Sequence, residues 1–112
     1  MELKKIDTGE EFTLIALSGI LDISGVQEVE MEFSEMTATG QSMIVNLSEV
    51  TFLASLGMRM LLSAAKKLNA SGKKLVLLSP QSLVKLALET AGLESIIPIV
   101  SDLNEAVKLI EQ

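Results

Sequence analysis

Three short apolar runs, "SMIVNLS" (42–48), "KKLVLLS" (73–79) and "SIIPIV" (95–100), alternate with longer segments whose apolar residues recur every three or four positions. Runs of that length suit strands buried on both faces, and the longer period suits helices. An alternation of this kind predicts an α/β domain with a largely parallel sheet and covering helices. Pro98 inside the last run marks it as an edge strand, because proline cannot donate to a ladder.

The segments between the runs carry helix signals. In "SGVQEVEMEFSEMTATG" (24–40), Val26, Val29, Phe33 and Met36 share one helical face. Ser24 and Gln27 have the spacing of a capping box, and Gly40 is a stop. Glu28, Glu32 and Glu35 line another face, as a solvated surface or an electrostatic docking stripe. In "LGMRMLLSAAKKLNASG" (56–72), Leu61, Ala64, Ala65 and Leu68 point inward, Arg59, Lys66 and Lys67 point outward, and Gly72 ends the helix. Ser79-Pro80 reads as an N-cap followed by proline at the first helical position, opening "QSLVKLALETAG", which ends at Gly92. "SDLNEAVKLIEQ" forms a terminal helix with Ser101 as its cap.

Ahead of these lie "MELKKID" and "EFTLIALSG" (11–19), a predicted hairpin turning at Thr8-Gly9-Glu10. The predicted order is β-β-α-β-α-β-α-β-α: a five-stranded, mixed but mostly parallel sheet with about four helices. At 112 residues the chain is expected to be one domain spanning 1–112.

Composition narrows the function. The net charge of −6 disfavours nucleic acid and anionic membrane surfaces, both of which require a basic footprint. Cysteine and histidine are absent, which removes thiolate nucleophiles, Cys/His zinc sites and any Ser-His-Asp triad within the chain. No constellation for catalysis stands out, so no enzyme, cofactor or metal is expected. No apolar run is long enough for a membrane span, and "MELKKIDTGEEF" lacks the apolar core of a signal peptide, so a cytoplasmic protein is expected.

One hydroxyl is conspicuous. "EVTFLA" reads as a loop leading from the strand at 42–48 to the helix at 56–72, and Ser55 stands at that helix's start, within "FLASLGM". In α/β sheets, ligands and chemistry gather where strand carboxyl ends meet helix N-termini. Two roles fit the position. Ser55 could cap free N–H groups of the helix, contributing about 1 kcal/mol. Alternatively it could accept a phosphate, adding about −1.5 to −2 charges beside an apolar contact surface.

Three segments in order resemble the STAS domain family, and within it the small bacterial anti-anti-sigma factors (anti-sigma factor antagonists). "LIALSGILDISGVQEVE" is similar to the family's "v.l.GelD...a..l", matching at Gly19, Leu21 and Asp22. "MIVNLSEVTFLASLGMRMLLSAAKKLNASGKKLVLLS" is similar to its "vvlDLs.v.fmDSsGlg.Ll" core and the strand that follows. "LALETAGLESIIPIVSDLNEAV" is similar to its closing "l...Gl...f.iy.s..eAl".

The resemblance implies a STAS fold and a phosphorylatable serine at Ser55, with Gly57 on the motif glycine and Asp22 beside the phosphorylation loop. Phe52, Leu53, Ala54, Leu56, Gly57 and Met58 would form the loop and the partner surface. Ala54 stands where the family usually has aspartate, Asn46 replaces another, and Leu56 and Arg59 replace smaller residues. The implied partners are an anti-sigma factor that is a serine kinase of the GHKL type, using ATP and Mg²⁺, and a PP2C-type phosphatase. The apolar "FLASLGM" surface suits a monomer or weak dimer, and the apolar runs are too short for direct membrane insertion. The alternative is an unphosphorylated STAS scaffold subunit, as in lipid-transport or stressosome-like complexes.

Overall fold

The computed structural model describes residues 1–112. Its elements are β1 (Glu2–Thr8), β2 (Phe12–Leu21), α1 (Ile23–Ala38), β3 (Ser42–Leu53), α2 (Ser55–Ala70), β4 (Leu75–Leu78), α3 (Ser82–Thr90), β5 (Ile99–Val100) and α4 (Leu103–Glu111), with a 3₁₀ turn at Leu93–Ser95. The five strands form one sheet in the order β1-β2-β3-β4-β5. Only β1–β2 is antiparallel; the other pairings are parallel. The α/β class, the mixed sheet and the element order match the expectation from sequence.

Alternation along the strands sorts side chains onto two faces. Met43, Val45 and Leu47 of β3 join Ile15 and Leu17 of β2, Leu75 and Leu77 of β4, and the inner faces of α1, α2 and α3 in a core of 23 buried residues. Phe33 is its largest fully buried side chain, contributing about 2–3 kcal/mol by burial. Ile44, Val76 and Leu78 point the other way and are covered by α4 through Ala106, with Val107, Leu109 and Ile110 around it. Both faces of the central strands are thus apolar, which is why they read as continuous apolar runs.

Glycines end three segments as expected: Gly40, Gly72 and Gly92 all have positive φ, between 75° and 82°. The hairpin turn closes with Gly9 N–H donating to the Phe12 carbonyl at 3.0 Å. Gln41 pins it, donating from Nε2 to the carbonyls of Gly9 (2.8 Å) and Glu10 (3.0 Å) and accepting from Thr13 Oγ1 at 2.9 Å.

Several boundaries differ from the sequence expectation. The segment expected as the loop "EVTFLA" is strand as far as Leu53, because it continues to pair with β2 through Ile20↔Phe52 and Leu21↔Leu53. Helix α1 is capped by Asp22, whose Oδ1 accepts from Gly25 N–H at 2.9 Å; Ser24 already lies inside the helix. Ser79 does not cap α3. It takes a left-handed conformation (φ 54°), donates from Oγ to the Ser101 carbonyl at 3.1 Å, and leaves Gln81 at the cap position. The last run forms only two strand residues, Ile99–Val100, because 93–95 coil into the 3₁₀ turn. Asp102, rather than Ser101, precedes α4, without a side-chain capping bond.

One asymmetry positions the site. β4 pairs with β3 only over Met43–Asn46, whereas β2 and β3 stay paired to Leu21 and Leu53. The β2–β3 ribbon therefore runs on beyond the rest of the sheet, and α1 and α2 start from its two tips.

Candidate functional site

The two tips are built alike. In β2 the chain reads Leu21-Asp22-Ile23-Ser24-Gly25; in β3 it reads Leu53-Ala54-Ser55-Leu56-Gly57. Leu21 and Leu53 are register partners, and Asp22 and Ala54 occupy the two N-cap positions. Gly25 and Gly57 are each three residues further on, in the first turn of their helix. The Ala54 N–H donates to the Leu21 carbonyl at 3.0 Å, carrying the ladder one step past β3.

Both glycines are contact points. A Cβ on Gly25 would overlap the Ile20 carbonyl oxygen, and one on Gly57 would lie 2.8 Å from the Leu21 carbonyl oxygen. Each helix thereby rests its first turn on the end of β2, which sets the two N-termini side by side. At Gly57 this is an approach that a residue without a Cβ permits.

The junctions differ in capping. Asp22 satisfies an N–H of α1, whereas Ala54 offers no acceptor to α2. Ser55 is the first residue of α2, one position past the cap, and makes no capping hydrogen bond. The reading of Ser55 as an N-cap is therefore corrected: strand pairing of β3 to Leu53 and the Ala54–Leu21 bond put residue 54 at the cap. Ser55 is exposed.

Around it the structure separates the residues expected to form the loop and partner surface. Phe52 is 54% exposed, Ala54, Leu56 and Met58 are half-buried, and Leu53 and Gly57 are buried in the core contact with β2. Asp22 is half-buried at the neighbouring tip. Two exposed apolar residues at the β2 end of the ribbon were not anticipated from sequence. Ile20, the register partner of Phe52, is 49% exposed, and Ile23, which opens α1, is 63% exposed. The shared Leu-x-x-x-Gly spacing of the two junctions was the available signal. It aligns the end of β2 with the end of β3 and so brings Ile20 to Phe52.

Beside Leu56, α1 and α2 enclose an open groove of about 270 Å³, lined by Glu30, Phe33, Ser34, Arg59, Met60 and Lys67 among others. No group of three or more acidic, histidine or cysteine side chains is close enough to hold a metal ion. No helix is long and apolar enough to cross a membrane.

The β2–β3 ribbon, with α1 and α2 starting from its tips, gives an α/β domain whose end carries the exposed Ser55 hydroxyl and the exposed side chains of Ile20, Ile23 and Phe52. The STAS domain model matches residues 4–106, and the chain belongs to the STAS domain family. None of the curated proteins compared matches it in sequence. Among solved structures it is similar to an anti-sigma factor antagonist from Mycobacterium paratuberculosis (18% identity, covering 99% of this chain and 96% of that one, TM-score 0.86). It is also similar to the anti-sigma factor antagonist SpoIIAA in its unphosphorylated form (22%, 98% and 96%, TM-score 0.81). The Bacillus cell fate determinant SpoIIAA in its phosphorylated form matches as well (22%, 97% and 99%, TM-score 0.73). At these identities the likeness is one of fold.

Proposed function

We propose that this STAS domain is an anti-sigma factor antagonist acting as one cytoplasmic domain. Its surface at Ile20, Ile23, Phe52 and Leu56 binds an anti-sigma factor that is also a GHKL-type serine kinase, and phosphorylation of Ser55 ends the complex. The observation that carries this reading is Ser55 itself: an exposed hydroxyl, free of any capping bond, at the first position of α2 and at the end of the ribbon where Ile20, Ile23 and Phe52 are exposed. The solved relative in a phosphorylated form supports it by analogy of fold.

In the reaction, Ser55 Oγ attacks the γ-phosphorus of ATP and the bond from that phosphorus to the ADP oxygen breaks. ADP leaves with the electron pair, and the hydroxyl proton passes to a base of the kinase. A PP2C-type phosphatase returns the serine by transferring the phosphoryl group to water. The chain itself is substrate and ligand, with no catalytic residue. The added charge, about −1.5 to −2, must be desolvated if the apolar surface is to stay against its partner, and that cost releases the complex.

A second reading, a constitutive STAS scaffold, draws on Ala54, which removes a side-chain acceptor from the α2 cap. Titration calorimetry against the candidate anti-sigma kinase of the same organism, with intact-mass analysis after ATP, separates the two. Partner switching requires one added phosphate at Ser55, binding weakened at least about tenfold by Ser55→Asp, and binding unchanged by Ser55→Ala. A stable complex without phosphate, equal for both variants, favours the scaffold.

A further inference from the structure

We propose that Arg59 is the internal counter-ion of a phosphate carried on Ser55, drawing it along α2 toward the α1–α2 groove. The inference rests on the reading of Ser55 as an acceptor, and it concerns what this particular chain does with the charge.

Ser55 and Arg59 are four residues apart in the uninterrupted helix Ser55–Ala70, and both are exposed. Residues at that spacing have Cβ atoms about 5–6 Å apart. Side chains on a helix lean toward its N-terminus, so a long side chain at Arg59 reaches back over the turn that carries Ser55. The order is the favourable one, with the anion N-terminal to the cation.

The guanidinium is also available. The one ion pair in the structure joins the Met1 amine to Glu28 at 3.0 Å, so no carboxylate, Glu30 of the same groove included, is within ion-pair distance of Arg59. The other charged groups around the junction are placed differently. Asp22 is engaged with Gly25 N–H, and Lys67 lies two turns further along the groove. Ala54 brings no negative charge next to Ser55. A planar guanidinium binds two phosphate oxygens at once, which a point-charge lysine does not. Pairing would leave the phosphate only partly neutralised and would hold it over the first turns of α2, beside Leu56 of the proposed partner surface.

The test installs phosphoserine at position 55 during translation, so no kinase is needed and failure of a kinase to modify Ser55 would leave the result standing. The second ionisation of the phosphate, near pH 6 when unperturbed, is followed by phosphorus NMR. A nearby cation favours the dianion. The wild-type chain is expected to ionise about half a pH unit lower than Arg59→Gln, with Arg59→Lys between them and Lys67→Gln like wild type. The difference should shrink in high salt. Thermal midpoints of the phosphorylated and unmodified forms complete a cycle: Arg59→Gln should lower the midpoint of the phosphorylated protein alone. Identical titrations of wild type and Arg59→Gln would overturn the pairing. So would an equal loss of midpoint in both forms, which would make Arg59 merely structural, or an equal titration shift from Lys67→Gln.

Discussion

Gly57 of α2 sits so close to Leu21 of β2 that a methyl group at position 57 would stand 2.8 Å from the Leu21 carbonyl oxygen and 2.8 Å from its Cγ. It would also meet Leu53 Cδ1 at 2.9 Å. The carbonyl belongs to the strand ladder and accepts from Ala54 N–H, so it cannot give way without loss of that bond.

Gly57→Ala is therefore expected to destabilise the fold by about 1–3 kcal/mol through overpacking, despite the better helix propensity of alanine. Gly57 has no positive φ, so the cost is steric. Gly40→Ala is the contrast: open space surrounds it, and its φ of 82° makes the cost conformational, about 1–2 kcal/mol. Urea denaturation gives both values. A Gly57→Ala protein as stable as wild type would contradict the close contact.

The two junctions should respond differently to loss of the cap. Asp22→Ala removes the acceptor for Gly25 N–H and is expected to cost about 1 kcal/mol, while Asp22→Asn keeps an oxygen there and should cost a few tenths. Ala54→Asp should do the reverse on α2, adding about 0.5–1 kcal/mol where no side chain now caps. Thermal unfolding of the three variants settles the signs; a stabilising Asp22→Ala would be inconsistent with the capping geometry.

Phe52 and Ile20 are half exposed and should matter to a partner more than to the fold. Phe52→Ser and Ile20→Ser are each expected to change stability by less than about 1 kcal/mol, well below the loss for a core residue such as Phe33, where truncation to alanine costs about 3–5 kcal/mol. Binding to the candidate anti-sigma kinase should fall at least about tenfold for Phe52→Ser. Unchanged affinity in calorimetry for both variants would move the docking surface elsewhere.

The element order was legible because each strand buried on two faces is a bare apolar run, and because Gly40, Gly72 and Gly92 mark where helices must stop. The ends of elements were less so, for reasons visible in particular residues. Glu49, Thr51 and Phe52 are exposed and Val50 and Leu53 buried, so that stretch of β3 lacks the continuous apolar signature of a buried strand. Only its pairing with β2, more than thirty residues away in sequence, makes it strand. Asp22 and Ser24 are both good caps; the choice falls to Asp22 because β2 ends at Leu21. The same tertiary cause moved Ser55 from the cap into the helix. The sequence thus located the junction of β3 and α2, while the placement of the residues around it, Leu53 and Gly57 inside, Ile20 and Ile23 outside, required the strand register.

The ribbon that outruns the sheet has a mechanical corollary. Strand β3 is laddered to Leu53, α2 begins at Ser55, and the single residue between them is tied to Leu21 by its own N–H. There is no slack at this joint to be taken up or let out. Under the proposed function, a phosphate on Ser55 would therefore find no connecting loop to refold, and would act on a bound protein through the charge and volume it adds to this edge.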